Sequence, residues 1–284
     1  MGHDLSLALS PAERLASVIL IGSMTLGSRT DTAFWDDYWA SLELPLEVEK
    51  SSSLLLRAIT DVFDRFLDGR PRLSVLEIGG APGQYAAYVH RLGHAVTVLD
   101  SSPMGCEKAR ENFELLGLNA EVVAGDMFEP PADLPRFDVV YSLGLIEHFQ
   151  NVADAVRAHT SFVAPGGLLI LGVPNLRGLN EFLMRRLSPA FLARHELNAM
   201  AEPTWDHFEE LVGLVRLYRE YIGGFEAATF WRCDSPRLSD RLLHRALWYA
   251  GNALGRDELR FLRRANSSSW SAYLMGVYAV PGPA

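Results

Sequence analysis

The sequence predicts an α/β protein built as a doubly wound, mostly parallel sheet, and three observations carry that prediction. From Leu73 onward, short apolar runs alternate with segments of helical spacing, as parallel βαβ units require. The first run, Ser74-Val75-Leu76-Glu77-Ile78, leads through the small residues Gly79-Gly80-Ala81-Pro82-Gly83 into a helix. Three acids, Glu77, Asp100 and Asp126, close successive runs. That is the edge at which open α/β sheets bind ligands.

Taken in chain order, Ser10-Pro11-Ala12-Glu13 reads as a capping box with proline at the first helical position, opening a helix to about Met24. A second helix runs from Thr30 to Ala40, with Phe34, Trp35, Tyr38 and Trp39 on neighbouring turns. Their stripe can pack on the core, cover a ligand, or do both. Leu55, Ile59, Val62, Phe63 and Phe66 mark a helix over 51–67, stopped by Gly69 and Pro71. Residues 1–70 thus read as a helical cap and 71–284 as the main domain.

Within that domain, strands are expected at Leu73–Ile78, His94–Asp100, Ala120–Ala124, Phe137–Ser142 and Leu168–Val173. Helices are expected at Tyr85–Leu92, Met104–Leu116 and about Val152–Val163. After Pro174 the alternation breaks. Residues 175–203 form an arginine- and leucine-rich helical insertion, Trp205–Tyr221 a helix ended by Gly223-Gly224, and Phe225–Arg232 a strand. Residues 237–264 form a second insertion, and Ser271–Val280 alternates as the last strand.

Composition narrows the function. The 284 residues are 49% apolar, enough for a substantial core. Net charge is −9, and lysine occurs only at Lys50 and Lys108. An acidic chain without a basic run argues against nucleic acid as the main partner. Cys106 and Cys233 have no metal-ligand spacing, so no metal site is expected, and a reducing cytoplasmic location is the simpler reading. No apolar run is long enough to span a bilayer.

The glycine loop discriminates between cofactors. The dinucleotide pattern G-x-G-x-x-G, begun at Gly79, fails at Ala81 and Gln84. The pattern acid-x-Gly-x-(Gly/Ala)-x-Gly fits through Glu77, Gly79, Ala81 and Gly83. Together with Asp100, Gly125-Asp126-Met127, the segment Phe137-Asp138 to Glu147-His148, and Pro165-Gly166-Gly167-Leu168, it resembles the class I S-adenosylmethionine (SAM) methyltransferases over roughly residues 73–175. The insertion from Asn175 is similar to that of small-molecule O-methyltransferases of the quinone-biosynthesis type.

The resemblance implies a Rossmann-like sheet of seven strands, the last antiparallel, with flanking helices, a helical cap and helical lids. It implies SAM as cofactor, flanked by Gly79 and Gly83, with Asp100 on its ribose and Asp126 and Met127 on adenine. Glu77 and Ser142 would lie near the methionine part, although Glu77 could instead order the loop. Pro82 removes a donor, so no contact is expected there. The string Ala81-Pro82-Gly83 also occurs in RNA ribose methyltransferases, but their catalytic lysines have no counterpart here.

Methyl transfer from a sulfonium is an in-line displacement that needs alignment and, for some acceptors, a base. His148, after the fourth strand, is the candidate base, with His195 of the insertion second. Both could equally order their loops. The expected reaction is methylation of a small molecule at a hydroxyl oxygen. N- or C-methylation, a SAM-binding protein without transferase activity, and a nicotinamide-dependent oxidoreductase are the alternatives. Trp35, Tyr38, Trp39 and Phe182 are the expected acceptor-binding residues, and their character suits a largely apolar or aromatic acceptor. The second insertion carries seven arginines against three acids, compatible with a solvated face or with peripheral membrane contact.

Overall fold

A computed structural model describes residues 32–50, 53–230, 233–254 and 265–282. The expected helix over 10–24 and the last part of the second insertion lie outside the described residues. Seven strands form one sheet in the order β3-β2-β1-β4-β5-β7-β6. β1 (Ser74–Ile78), β2 (Ala95–Asp100), β3 (Glu121–Ala124), β4 (Phe137–Leu143) and β5 (Val163–Pro174) are mutually parallel. β7 (Tyr273–Ala279) runs antiparallel between β5 and β6 (Val215–Ile222). Chain order reverses between β1 and β4, and the crevice at such a reversal is where open sheets take ligands.

The helices are those the sequence punctuates. α1 spans Thr32–Ala40, and α2 spans Leu54–Leu67 behind the N-cap Ser53, whose hydroxyl accepts from the N–H groups of Leu55 and Leu56. α3 (Gln84–Arg91) starts at Gly83, which has φ of 84°. α4 (Pro103–Leu116) begins with the Ser102 cap and a proline and ends on left-handed Gly117. α5 (Val152–Ser161) is capped by Asn151. α2 shares the sheet's core, because Phe63 packs edge-on to Tyr141 of β4 at 5.0 Å and against Tyr85 of α3 at 6.1 Å.

The first insertion is helical, as expected. It comprises α6 (Leu179–Leu187), α7 (Pro189–Leu192) and a 3-10 turn at Leu197–Met200. The second contributes α9 (Leu238–Leu254), which packs on α6 and on the turn Ala227–Phe230. Two expectations are corrected between them. The helix expected over Trp205–Tyr221 is α8, Glu202–Val212, and it stops at Gly213 with φ of 75°. Beyond that glycine the chain enters β6. The strand expected over Phe225–Arg232 is instead a 3-10 turn at Ala227–Phe230, its last two residues lying outside the described ones.

The physical reason is a pattern with two readings. Trp205, Phe208, Val212 and Val215 keep helical spacing across the break, while a register shift between Arg216 and Tyr218 spoils the strand's alternation. Left-handed Gly213 decides, because a glycine there ends a helix at little steric cost. Ion pairs then fix the turn. Glu209 accepts from Arg219 at 2.7 Å, from Arg216 at 2.8 Å and from the Tyr278 hydroxyl at 2.8 Å, while Asp206 accepts from both arginines at 2.8 Å.

Glu209 and Arg219 are both buried at the side chain. Glu209→Ala should therefore cost roughly 3 kcal/mol of unfolding free energy, since it strands a buried guanidinium. Denaturant titration checks this, and a cost below about 1 kcal/mol would mean that water screens the network.

Candidate active site

The loop after β1 is held from below by two buried acids. Glu77 Oε2 accepts from the Ala86 N–H in the first turn of α3, at 3.1 Å. A methyl group on Gly80 would meet the Glu77 carboxyl at 2.4 Å, so glycine at 80 is what lets the loop lie on this acid. Burial pushes the Glu77 carboxyl up to about 8, against the opposing pull of the Tyr141 hydroxyl and the Ala86 N–H. Asp100 Oδ2 accepts from the Ala81 N–H at 3.2 Å and Oδ1 from the Ser102 N–H at 2.8 Å.

A crevice opens beside this loop at the β1/β4 reversal. It is lined by Ile78, Gly79, Leu99, Ser101, Gly125, Asp126, Met127 and Leu145. Gly79, Asp126 and Met127 thus meet in one place, with Asp100 at the end of β2 beside it. Gly79 has φ of 67°, and a Cβ there would press on the Leu145 side chain at 3.1 Å. Leu145 lies across the crevice and leaves it only about 10 Å³. Asp126 Oδ1 accepts from the Phe128 N–H at 3.0 Å, which fixes the carboxylate in its turn.

Two expected cofactor residues make contacts of their own within the fold. Phe113 of α4 lies 2.5 Å from where a Cβ on Gly83 would be, so packing also requires glycine there. The Ser142 hydroxyl lies 2.9 Å from His159 Nε2 on α5. His159 Nδ1 lies 2.7 Å from the Ala155 carbonyl, which can only accept, so Nδ1 carries the proton and Nε2 accepts from Ser142. Burial, offset in part by that carbonyl, lowers His159 to about 4.

Three residues beyond Leu145 the chain presents His148. The 3-10 turn Ile146–His148 buries Glu147 and His148 side by side, with Glu147 Oε1 3.9 Å from His148 Nε2. His195 comes to them from the insertion, its ring centre 4.8 Å from that of His148. The two segments are joined by the Glu196 N–H donating to the Glu147 carbonyl at 2.7 Å. Burial and the neighbouring His195 hold His148 well below the usual histidine range, and burial raises the Glu147 carboxyl. Burial thus disfavours the charged form of both groups.

α1 roofs this turn. Trp35 stands edge-on to His148 at 5.5 Å and stacks on Trp39 at 5.8 Å, and Tyr38 meets Trp39 at 5.0 Å. The Ser102 hydroxyl donates to Asp36 at 2.6 Å and ties α1 to the β2 turn. Phe182 does not join the roof. It is 67% exposed on α6, near the likewise exposed Leu179. Sequence reasoning did not single out Glu147, Leu145 or Ser101. Glu147 had a signal, as the partner in the Glu-His pair, whereas Leu145 and Ser101 look like ordinary loop residues until the fold closes. A larger groove of about 770 Å³, with Arg57, Arg65, Tyr218 and Glu220 in its walls, lies between α2 and β6, with β4, β5 and β7 separating it from β1.

A family described as a methyltransferase domain matches residues 52–220. The chain is 28% identical to a ubiquinone biosynthesis O-methyltransferase of Methylocella silvestris, over 52% of this chain and 62% of the relative. It is 31% identical to the mitochondrial enzyme of that name in Schizosaccharomyces pombe, over 49% of each chain. A protein-L-isoaspartate O-methyltransferase of Nitrobacter winogradskyi is 32% identical, over 43% of this chain and 54% of the relative. The matches thus span less than two thirds of those relatives. Among solved structures, a Pyrococcus horikoshii OT3 protein superposes with a TM-score of 0.53 at 16% identity, covering 86% of this chain and 98% of the other. A SAM-dependent methyltransferase from Thiobacillus denitrificans in complex with S-adenosyl-L-homocysteine gives 0.51 at 19%, covering 88% and 98%. At these identities the structures share the fold.

The Glu77 shift has a measurable sign. The native state holds a proton that the unfolded chain releases between 4.5 and 8, so this group's contribution is full below 4.5 and lost as pH rises to 8. Glu77→Gln removes the titration and keeps an acceptor for Ala86. Wild type should lose about 1.4 kcal/mol relative to the variant per pH unit in that window. Denaturant unfolding of both proteins at a series of pH values checks it; a difference independent of pH would show that Glu77 is already ionised in the fold.

Proposed function

The chain belongs to the methyltransferase-domain family, within the class I SAM-dependent methyltransferases, and we propose that it transfers a methyl group from SAM to a hydroxyl oxygen of a small, largely apolar acceptor. The observation that supports this most is one continuous arrangement. Leu145 lines the crevice that holds Gly79, Asp126 and Met127, and the same short segment carries Glu147 and His148 beneath an aromatic roof. No helix among the described residues is long and apolar enough to cross a membrane.

The residues present suit SAM. Gly79 borders the crevice without a side chain of its own, and glycine at 80 lets the loop lie on Glu77. Asp100, whose oxygens accept the Ala81 and Ser102 N–H groups, sits at the end of β2 where a ribose hydroxyl can be met. Asp126 and the Met127 backbone flank the place for adenine. When bound, the cofactor supplies an electrophilic methyl group on a sulfonium, whose sulfur leaves as a neutral thioether. The chain aligns the acceptor oxygen with that methyl and excludes water, which can supply much of the barrier reduction. His148 is neutral and can take the hydroxyl proton as the O–C bond forms. Trp35, Tyr38 and Trp39 supply an apolar wall over the reacting edge. Oxygen as the methylated atom is supported by the names of the distant O-methyltransferase relatives.

Calorimetry with the purified protein should show binding of SAM and of its demethylated product but not of NAD. Asp100→Ala should weaken both by about 1.5–3 kcal/mol through loss of a charge-assisted acceptor. Binding of NAD without SAM would end this reading, and SAM binding with no consumption across candidate acceptors would favour a non-catalytic binding protein.

For the reacting edge, His148→Ala should lower kcat by roughly 10²–10⁴ while sparing SAM affinity. The acid limb of wild-type turnover should lie below the usual histidine range. Phe182→Ala should leave the acceptor KM unchanged, and Trp35→Phe should raise it. Near-wild-type turnover in the His148 variant would leave that residue only a loop-ordering role.

A further inference from the structure

Glu147, His148 and His195 bring their lone pairs to one buried spot. Each offers one ligand atom, and these atoms all lie within 4.8 Å of one another. Glu147 is 0% exposed, His148 1% and His195 4%. Both Glu147 oxygens are buried without a hydrogen-bond partner among the described residues, and the His148 ring faces the Arg194 backbone. Leaving one such buried polar group unsatisfied is costly, and here several point at one spot. We propose that the three side chains bind a first-row divalent cation, with zinc the best fit.

A second, independent feature supports the assignment. His195 Nδ1 lies 2.9 Å from the Phe191 carbonyl. A carbonyl can only accept, so the proton sits on Nδ1 and Nε2 is the ligand atom. Metal-bound imidazoles are oriented by such a backbone carbonyl behind the ring. The donor set selects the ion class. Two imidazole nitrogens and one carboxylate suit zinc and its neighbours, whereas magnesium and calcium take oxygen ligands. Three protein ligands also leave a coordination position open.

Binding has a mechanical consequence. Ligand atoms must close to about 2 Å from the ion. That draws the His195 segment onto the Ile146–His148 turn, along the line of the existing Glu196–Glu147 backbone bond. The ion is thus a clamp between the insertion and the sheet's carboxyl edge. Only the ionised Glu147 carboxylate is a ligand, so an ion and a proton compete for it. The other charged or titratable groups facing them are Arg194 beside His148 and Tyr273 beside Glu147. With an ion in place, His148 acts as a ligand and no longer as the base.

The test uses the full chain stripped with a chelator, titrated with zinc chloride alone and, separately, with cobalt(II) as a visible-absorption probe. No SAM or acceptor is present, so its outcome is separate from that of the methyl-transfer reading. Wild type should bind one ion per chain and gain thermal stability. Glu147→Gln and His195→Ala should each weaken binding by more than about 100-fold, beyond the loss typical of outer supporting groups. Cys233→Ser should bind as wild type does. The proposal is overturned if stripped wild type binds no zinc, a result that does not depend on any variant folding. It is equally overturned if folded Glu147→Gln and His195→Ala proteins bind like wild type.

Discussion

One buried carboxylate holds the working edge of this protein together. Asp100 accepts from Ala81 on one oxygen and from Ser102 on the other, which joins the loop after β1 to the turn after β2. Ser102 in turn caps α4 through Gly105 and donates to Asp36 of α1. Glycine loop, helix start and aromatic roof therefore share one chain of hydrogen bonds rooted in an acid at a strand end. That chain is short, and three of its four bonds join a backbone N–H to a side-chain oxygen, so it fixes the loop against its neighbours. The same carboxylate stands at the strand end beside the crevice, so the scaffold's anchor and the crevice wall are neighbours.

The central half of the fold was legible because it derives from local chemistry. Apolar runs bounded by glycine, a serine cap followed by proline before α4, and glycine after its last turn all specify their elements with little help from tertiary contacts. The region after Pro174 was less legible. Val215–Ile222 carries arginines and a glutamate on an edge strand, and its partners Glu209 and Asp206 sit on the preceding helix. A strand stabilised by ion pairs across a turn shows no clean two-residue period, and helical spacing ran through it by coincidence.

The site divides in the same way. Gly79, Asp100, Asp126 and Met127 meet because each lies at the end of its own strand, and strand ends in a parallel sheet share an edge. His148 and His195 are 47 residues apart in the chain, and nothing local to either one announces that their rings lie together. Phe182 lies apart from these residues. Its apolar character suggested a pocket lining, but α6 turns that face outward, and burial of Leu183 and Met184 satisfies the helix instead. Gly83 and Ser142 have the residue types expected of cofactor neighbours and are used for packing against Phe113 and for bonding to His159.

Leu145 stands in two places at once. Its side chain fills the hollow above Gly79, while its backbone carbonyl accepts from the His148 N–H at 3.1 Å to close the turn that presents Glu147 and His148. Anything that widens the hollow pushes on a residue whose main chain anchors the opposite wall. The crevice and the polar turn thus share one residue, the first through its side chain and the second through its main chain.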